Sequence, residues 1–94
     1  MGALQYKVQV EPNTIIDLIN LLMIFDQLQL KGNNIRKCMI ELRSNIPGFY
    51  KGLIYCSGID EANLIYEQLL RILHEKINEI PTLILPSLSV PNIL

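Results

Sequence analysis

The sequence is poor in the residues that build disulfide frameworks and metal sites. It has two cysteines, Cys38 and Cys56, and a single histidine, His74. Two cysteines do not form a disulfide framework, and no series of basic, apolar and small residues typical of a signal peptide opens the sequence. We therefore expect free thiols and a cytoplasmic location. Because no Cys-x-x-Cys or His-x-x-x-His spacing is present, we expect neither a metal ligand nor a cofactor.

Catalytic motifs and long apolar runs are missing as well. The sequence contains no phosphate-binding glycine motif and no nucleophile elbow, so an enzyme is not expected. The longest apolar stretch, residues 15–25, is interrupted by Asp17 and Asn20. It is shorter than the ~20 residues that span a bilayer, so we expect no membrane partner.

Charged residues are few and unevenly placed. Residues 31–51 hold five cations and one acid, a net charge of +4, and because the whole chain carries −1 the remainder sums to −5. This basic middle is a candidate anion-facing surface, or an ordinary solvated face that acids elsewhere in the fold balance.

Hydrophobic residues are abundant for a short chain, at 50% of 94 residues. A chain of this length has room for one core, so we predict a single domain spanning residues 1–94. Its apolar side chains exceed what one small interior can easily hide, and the commonest solution is a second copy of the chain.

Hydrophobic periodicity predicts a small α/β domain, with α+β as the alternative. Strict alternation or short apolar runs predict strands, and apolar residues spaced three and four apart predict helices. The predicted strands are residues 4–10, 49–56 and 82–85, and the predicted helices end near residues 30, 46 and 80. The order is therefore β-α-α-β-α-β, with a short, mostly three-stranded sheet packed by helices. The last helix should connect two parallel strands.

The first helix and the C-terminal segment favour a role in assembly. The first helix is apolar round most of its circumference, which predicts burial on nearly all sides. Residues 81–94 carry no charge and have a proline every five residues, which suits an extended segment along a groove or sheet edge. We therefore predict a non-enzymatic protein-binding or oligomerisation domain, a homodimer or small adaptor. Its predicted contact residues are Ile15, Leu18, Leu22, Phe25, Leu83, Leu85, Leu88 and Val90.

Two alternatives remain open. Residues 5–45, with a polar strand face, Pro12, a helix, a Gly-Asn-Asn break and a predicted basic helix, resemble the ribbon-helix-helix DNA-binding family. The resemblance implies a dimer whose paired strands enter the major groove. The nucleic-acid contacts would then be Gln5, Lys7, Gln9, Asn33, Asn34, Arg36 and Lys37.

The other alternative is a thiol enzyme. Cys56 ends an apolar strand just before Ser57, Gly58 and a predicted helix start. Backbone amides and the helix dipole at such a position lower the pKa of a thiol. The opposing interpretation is that Cys56 is a small core hydrophobe.

Overall fold

A computed structural model of the protein describes residues 5–76 and 81–87, and within them it forms one sheet covered by two helices. The elements are β1 (Gln5–Val10), α1 (Ile15–Gln27), β2 (Arg36–Ile40), β3 (Tyr50–Cys56), α2 (Ile59–Lys76) and β4 (Thr82–Ser87). The strand order is β2-β3-β1-β4, and every neighbouring pair is antiparallel. The α/β class predicted from the sequence is confirmed.

The connection from β3 through α2 to β4 joins two strands of the same direction, as predicted, but they are not neighbours. Both are antiparallel to β1, which lies between them. Likewise, β3 lies between β1 and β2. This interleaving of two β-α-β units is the split βαβ arrangement, also called ferredoxin-like.

The predicted second helix, residues 35–46, is wrong. Arg36–Ile40 form β2, which pairs with β3 from Arg36 opposite Ile54 to Ile40 opposite Tyr50. The connection that follows returns the chain to β3, with the Glu41 amide donating to the Phe49 carbonyl at 2.6 Å. The apolar residues do have the three-and-four spacing of a helix. However, the backbone of residues 36–40 forms its hydrogen bonds with β3, as an edge strand of the sheet.

Helix α1 is shorter than predicted because its ends are fixed by specific contacts. The Thr14 hydroxyl oxygen accepts a hydrogen bond from the Asp17 amide at 3.1 Å, which caps the N-terminus. The backbone becomes extended at Leu28, so α1 ends at Gln27 rather than near residue 30. No helix within residues 5–76 is long and apolar enough to cross a membrane.

The core lies between one face of the sheet and both helices. Alternation along β1 and β3 directs Val8, Val10, Ile54 and Cys56 toward the helices, where they join side chains of α1 and α2. Gly52 lies directly beneath α1, because a Cβ atom there would overlap Leu21 and approach Phe25. The opposite face of the sheet is covered by neither helix.

Strand β4, Thr82–Ser87, forms the first part of the predicted extended C-terminal segment, residues 81–94. Within the described residues it pairs with β1 alone, so it forms a sheet edge there. Pro86 lies within it, in keeping with the confinement of proline to edge strands. The rest of the predicted segment, residues 88–94, and the predicted end of the last helix, residues 77–80, lie outside the described residues.

Candidate functional site

One side of α1 is apolar and uncovered. Its inner side places Leu18, Leu21, Ile24 and Phe25 in the core. Its outer side carries five large apolar side chains that are each between 45% and 67% exposed: Ile15, Ile16, Ile19, Leu22 and Met23. We call these five residues the α1 apolar face. The predicted excess of apolar surface on this helix is therefore present, but it is concentrated on one side.

The predicted contact residues separate into three groups. Ile15 and Leu22 belong to the α1 apolar face. Leu18 and Phe25 must be removed from the contact set, because they are core residues that no partner can reach; Phe25 is only 2% exposed. Leu83 and Leu85 project from edge strand β4 to the sheet face that lacks helices, whereas Leu88 and Val90 lie outside the described residues.

The sheet face that lacks helices is open at one end. There, Lys7 of β1 lies directly opposite Tyr55 of β3. Lys37 of β2 lies opposite Leu53, two residues before Tyr55. Alternation places these side chains and Gln5 on the same side of the sheet. Leu53 itself is only 5% exposed. We call the other four residues, Gln5, Lys7, Lys37 and Tyr55, the open sheet face.

The other end of the same face is occupied by an ionic cluster. Glu41 accepts two hydrogen bonds from the Arg43 guanidinium, at 2.8 and 2.9 Å, and one from the Arg43 backbone amide at 3.2 Å, and it lies 3.6 Å from the Lys51 ammonium. The hydrogen bonds from Arg43 hold the pKa of Glu41 at about 2. Gly48 approaches the side chains of Lys51 and Glu11, so the loop after β2 covers this end.

Several residues predicted to contact nucleic acid instead have structural partners. The guanidinium of Arg36 donates to the carbonyls of Phe25 and Leu28, at 2.6 and 2.7 Å, and so caps the end of α1. The amide of Asn34 donates to the Tyr55 carbonyl and to Glu61, both at 2.9 Å.

The other five residues predicted to contact nucleic acid differ in burial and in position. Gln9 is buried and donates to Glu11 at 2.8 Å. Asn33 is exposed in the turn before β2, with a φ of 49°. Gln5, Lys7 and Lys37 lie on the open sheet face, so the structure brings three of the seven predicted residues together there.

The ribbon-helix-helix arrangement is not formed. In that family a strand pairs with its copy from a second subunit. Here β1 already pairs on both edges, with β3 and β4, so it has no free edge for a copy of itself. The basic helix that would follow is strand β2.

Cys56 has the environment of a core residue. Its side chain is 3% exposed and packs in the main hydrophobic cluster. Burial raises the pKa of its thiol to about 11, and the nearby carboxylate of Glu61 adds to the shift. The thiolate that a nucleophilic cysteine requires is therefore disfavoured at neutral pH. Among residues 5–76 and 81–87, no three acidic, cysteine or histidine side chains cluster as a metal site would require.

Sequence reasoning did not include Ile16, Ile19, Met23 or Tyr55 among the site residues. The three residues of α1 belong to a recognisable apolar stripe, but a helix that is apolar on most sides does not indicate which stripe meets the sheet. Tyr55 had one usable signal. In a strand, Tyr55 and Leu53 point to one face, while Ile54 and Cys56 point to the other. Only one of these two pairs can face the helices, so the other pair must lie on the opposite face of the sheet.

Comparisons of the chain with protein-family models, with curated proteins and with solved structures found no match.

Proposed function

We propose that this chain is a non-enzymatic oligomerisation domain that self-associates through the α1 apolar face. The observation that supports this function is the exposure of five large apolar side chains on one side of a well-capped helix. Isolated exposed apolar residues are ordinary, but a contiguous apolar patch marks an interaction surface.

The spacing of the α1 apolar face fits another helix. Ile15, Ile19 and Leu22 recur four and then three residues apart, which is the seam used when two helices pack side by side. Ile16 and Met23 flank this seam. A second copy of the chain presents the same stripe, so a two-fold axis near Ile19 would bring two identical apolar surfaces together.

The charges of α1 favour an antiparallel pair. Asp26 lies in the last turn, where no basic residue is present and where the helix dipole is negative. In an antiparallel pair centred on Ile19, each Asp26 would lie near the first turn of the partner helix, where the dipole is positive. The positive end of the partner dipole would thus offset part of the cost of Asp26, although the partner's Asp17 lies in the same turn.

The size of the face sets the expected affinity. Full burial of one such side chain removes roughly 60–120 Å² of apolar surface from water. Five half-exposed side chains therefore supply at most a few hundred of the about 800 Å² that each partner contributes to a standard interface. We expect a dimer with a Kd in the micromolar range, whose population changes over ordinary working concentrations.

A charge at the two-fold axis tests the proposal. Ile19→Lys should abolish the dimer, because two ammonium groups would face each other in an apolar seam. Leu64→Lys is the matched control, since Leu64 is a 72% exposed aliphatic residue on α2. Sedimentation equilibrium should show a dimer for the wild type and Leu64→Lys, and a monomer for Ile19→Lys. Circular dichroism checks that both variants fold.

Cysteine cross-linking tests the antiparallel geometry. Under mild oxidation, Ile19→Cys should form an intermolecular disulfide, because residues at the axis meet their own copies. Ile15→Cys should not, because its copy lies at the far end of the seam. A wild-type monomer at several hundred micromolar, or equal loss of association in both lysine variants, would exclude this function.

A further inference from the structure

We propose that the open sheet face is a binding site for single-stranded nucleic acid, in which Tyr55 stacks on a base while Lys7 and Lys37 contact the flanking phosphates. This site lies on the side of the sheet away from α1, so it is independent of self-association. The juxtaposition of one partly exposed aromatic ring and two lysines on neighbouring strands is what carries the inference.

The lysines lie on opposite sides of the ring. Lys7 is directly across the β1–β3 pair from Tyr55, and directly opposed side chains have Cβ atoms about 5 Å apart. Lys37 is diagonal to Tyr55 across the β2–β3 pair. Because neighbouring strands are ~4.8 Å apart and Lys37 is offset from Tyr55 by two residues, the two lysines originate roughly 12 Å from each other. A strand of nucleic acid that crosses the sheet would meet a cation, a stacking surface and a second cation.

The carboxylates near this face already have partners. Glu11 accepts a hydrogen bond from Gln9 at 2.8 Å, and Glu41 is held by Arg43 and Lys51. Glu61, which lies beyond the end of β3, accepts hydrogen bonds from Ser57 and Asn34. The lysines of the open sheet face have no carboxylate opposite them in the strand register. Lys7 and Lys37 therefore supply the positive charge for a phosphate backbone, while Glu61 keeps its negative charge beyond the end of β3, because its donors are neutral.

Space for a base lies beside Tyr55. An open depression of about 500 Å³ is bordered by Tyr55, Gln5, Asn33 and Ile35, and also by Glu61 of α2. Gln5 is exposed and offers both a donor and an acceptor to a base edge. An unstacked base can enter such a depression, whereas a base inside a duplex cannot expose its ring surface. The expected ligand is therefore a single strand.

Fluorescence anisotropy with labelled oligouridine and oligothymidine tests the proposal and distinguishes RNA from DNA. Binding should weaken with salt, with a slope near −1.4 in a log–log plot, because two contacted phosphates on a single strand contribute about −0.7 each. Lys7→Ala and Lys37→Ala should each lower that slope by about 0.7. Arg71→Ala, which removes an exposed cation from α2, should leave it unchanged.

Variants of Tyr55 separate stacking from simple apolar contact. Tyr55→Phe should bind as the wild type, whereas Tyr55→Leu should bind about tenfold more weakly, since stacking on an aromatic side chain is lost. Tyr50→Leu is the control, because Tyr50 is on the same strand but alternates to the other face. An unlabelled duplex should not compete.

No anisotropy change at 50 mM salt with several hundred micromolar protein, or wild-type binding by Tyr55→Leu, would exclude this site. Amide chemical-shift changes on oligonucleotide addition should map to β1, β2 and β3. Changes confined to α1 would equally exclude it, and Ile19→Lys should bind a short oligonucleotide as well as the wild type.

Discussion

At the scale of single residues, the same side-chain chemistry serves different purposes depending on its neighbours. Arg36 and Lys37 are adjacent cations in the basic middle of the sequence. Arg36 points to the helix side of β2 and holds the carbonyls at the end of α1, while Lys37 points to the other side and is exposed. Because successive side chains of a strand point to opposite faces, Arg36 has a structural role and Lys37 is free to contact a ligand.

Gly52 provides a test at the residue scale. Gly52→Ala should lower the free energy of unfolding by ~1–3 kcal/mol, because the added methyl group overlaps Leu21 in a packed core. Gly58→Ala should lower it by no more than about 1 kcal/mol, because nothing lies within 4 Å of a Cβ atom at Gly58 and the change affects only the N-cap of α2. Urea unfolding at one protein concentration measures both.

A double variant distinguishes the overlap from a general loss of β3. Gly52→Ala combined with Leu21→Ala should be destabilised by less than the sum of the two single changes, because the shortened side chain makes room for the methyl group. Equal unfolding midpoints for Gly52→Ala and Gly58→Ala would show that α1 does not lie over Gly52.

At the scale of elements, β2 shows how a partner strand overrides a helical pattern. The Tyr55 amide donates to the Ile35 carbonyl at 2.9 Å, and the Glu41 amide donates to the Phe49 carbonyl. These two contacts fix which residues of β2 direct their backbone groups toward β3. By alternation, residues 37 and 39 do so, whereas Cys38 and Ile40 direct theirs to the free edge.

Hydrogen exchange along β2 should follow that alternation. The amides of Lys37, Met39 and Glu41 should be protected, and those of Cys38 and Ile40 should exchange quickly, which NMR can measure residue by residue. Continuous protection through residues 35–46 would instead indicate the helix that the sequence pattern predicts. Protection of Cys38 and Ile40 that disappears on dilution would place the dimer contact at the edge of β2 rather than on α1.

At the scale of the whole molecule, the two proposed surfaces lie on opposite sides of the sheet. The α1 apolar face is on the outer side of the helix layer, and the open sheet face is on the side of the strands that neither α1 nor α2 covers. Dimerisation through α1 would therefore leave both copies of the open sheet face accessible. A dimer would present two sites, and a long single strand that reaches both would bind more tightly than a short one.

Thermal unfolding should depend on protein concentration if the dimer is part of the folded state. For a domain of this size the melting temperature of the wild type should rise by roughly 3–6 °C for each tenfold increase in concentration above the Kd. The melting temperature of Ile19→Lys should not change. Identical concentration dependence in the two proteins would mean that association does not involve α1.

Local pattern is enough to predict the elements for which it has only one solution. Alternation in residues 5–10 gives a strand, the short apolar run before Ser57 gives another, and α2 has a single apolar stripe that can face a core. The excess of apolar residues on α1 was also evident from the sequence, because it depends only on which residues are present.

Other features of the protein depend on contacts between residues that are distant in the sequence. Residues 36–40 are a strand only because β3 lies beside them, and the side of α1 that is buried is fixed by Gly52, about 30 residues further along the chain. Local spacing records which residues share a face of an element, but not which other element covers that face. The burial of Leu18 and Phe25, the capping role of Arg36 and the position of Tyr55 between two lysines all follow from pairings that local spacing does not encode.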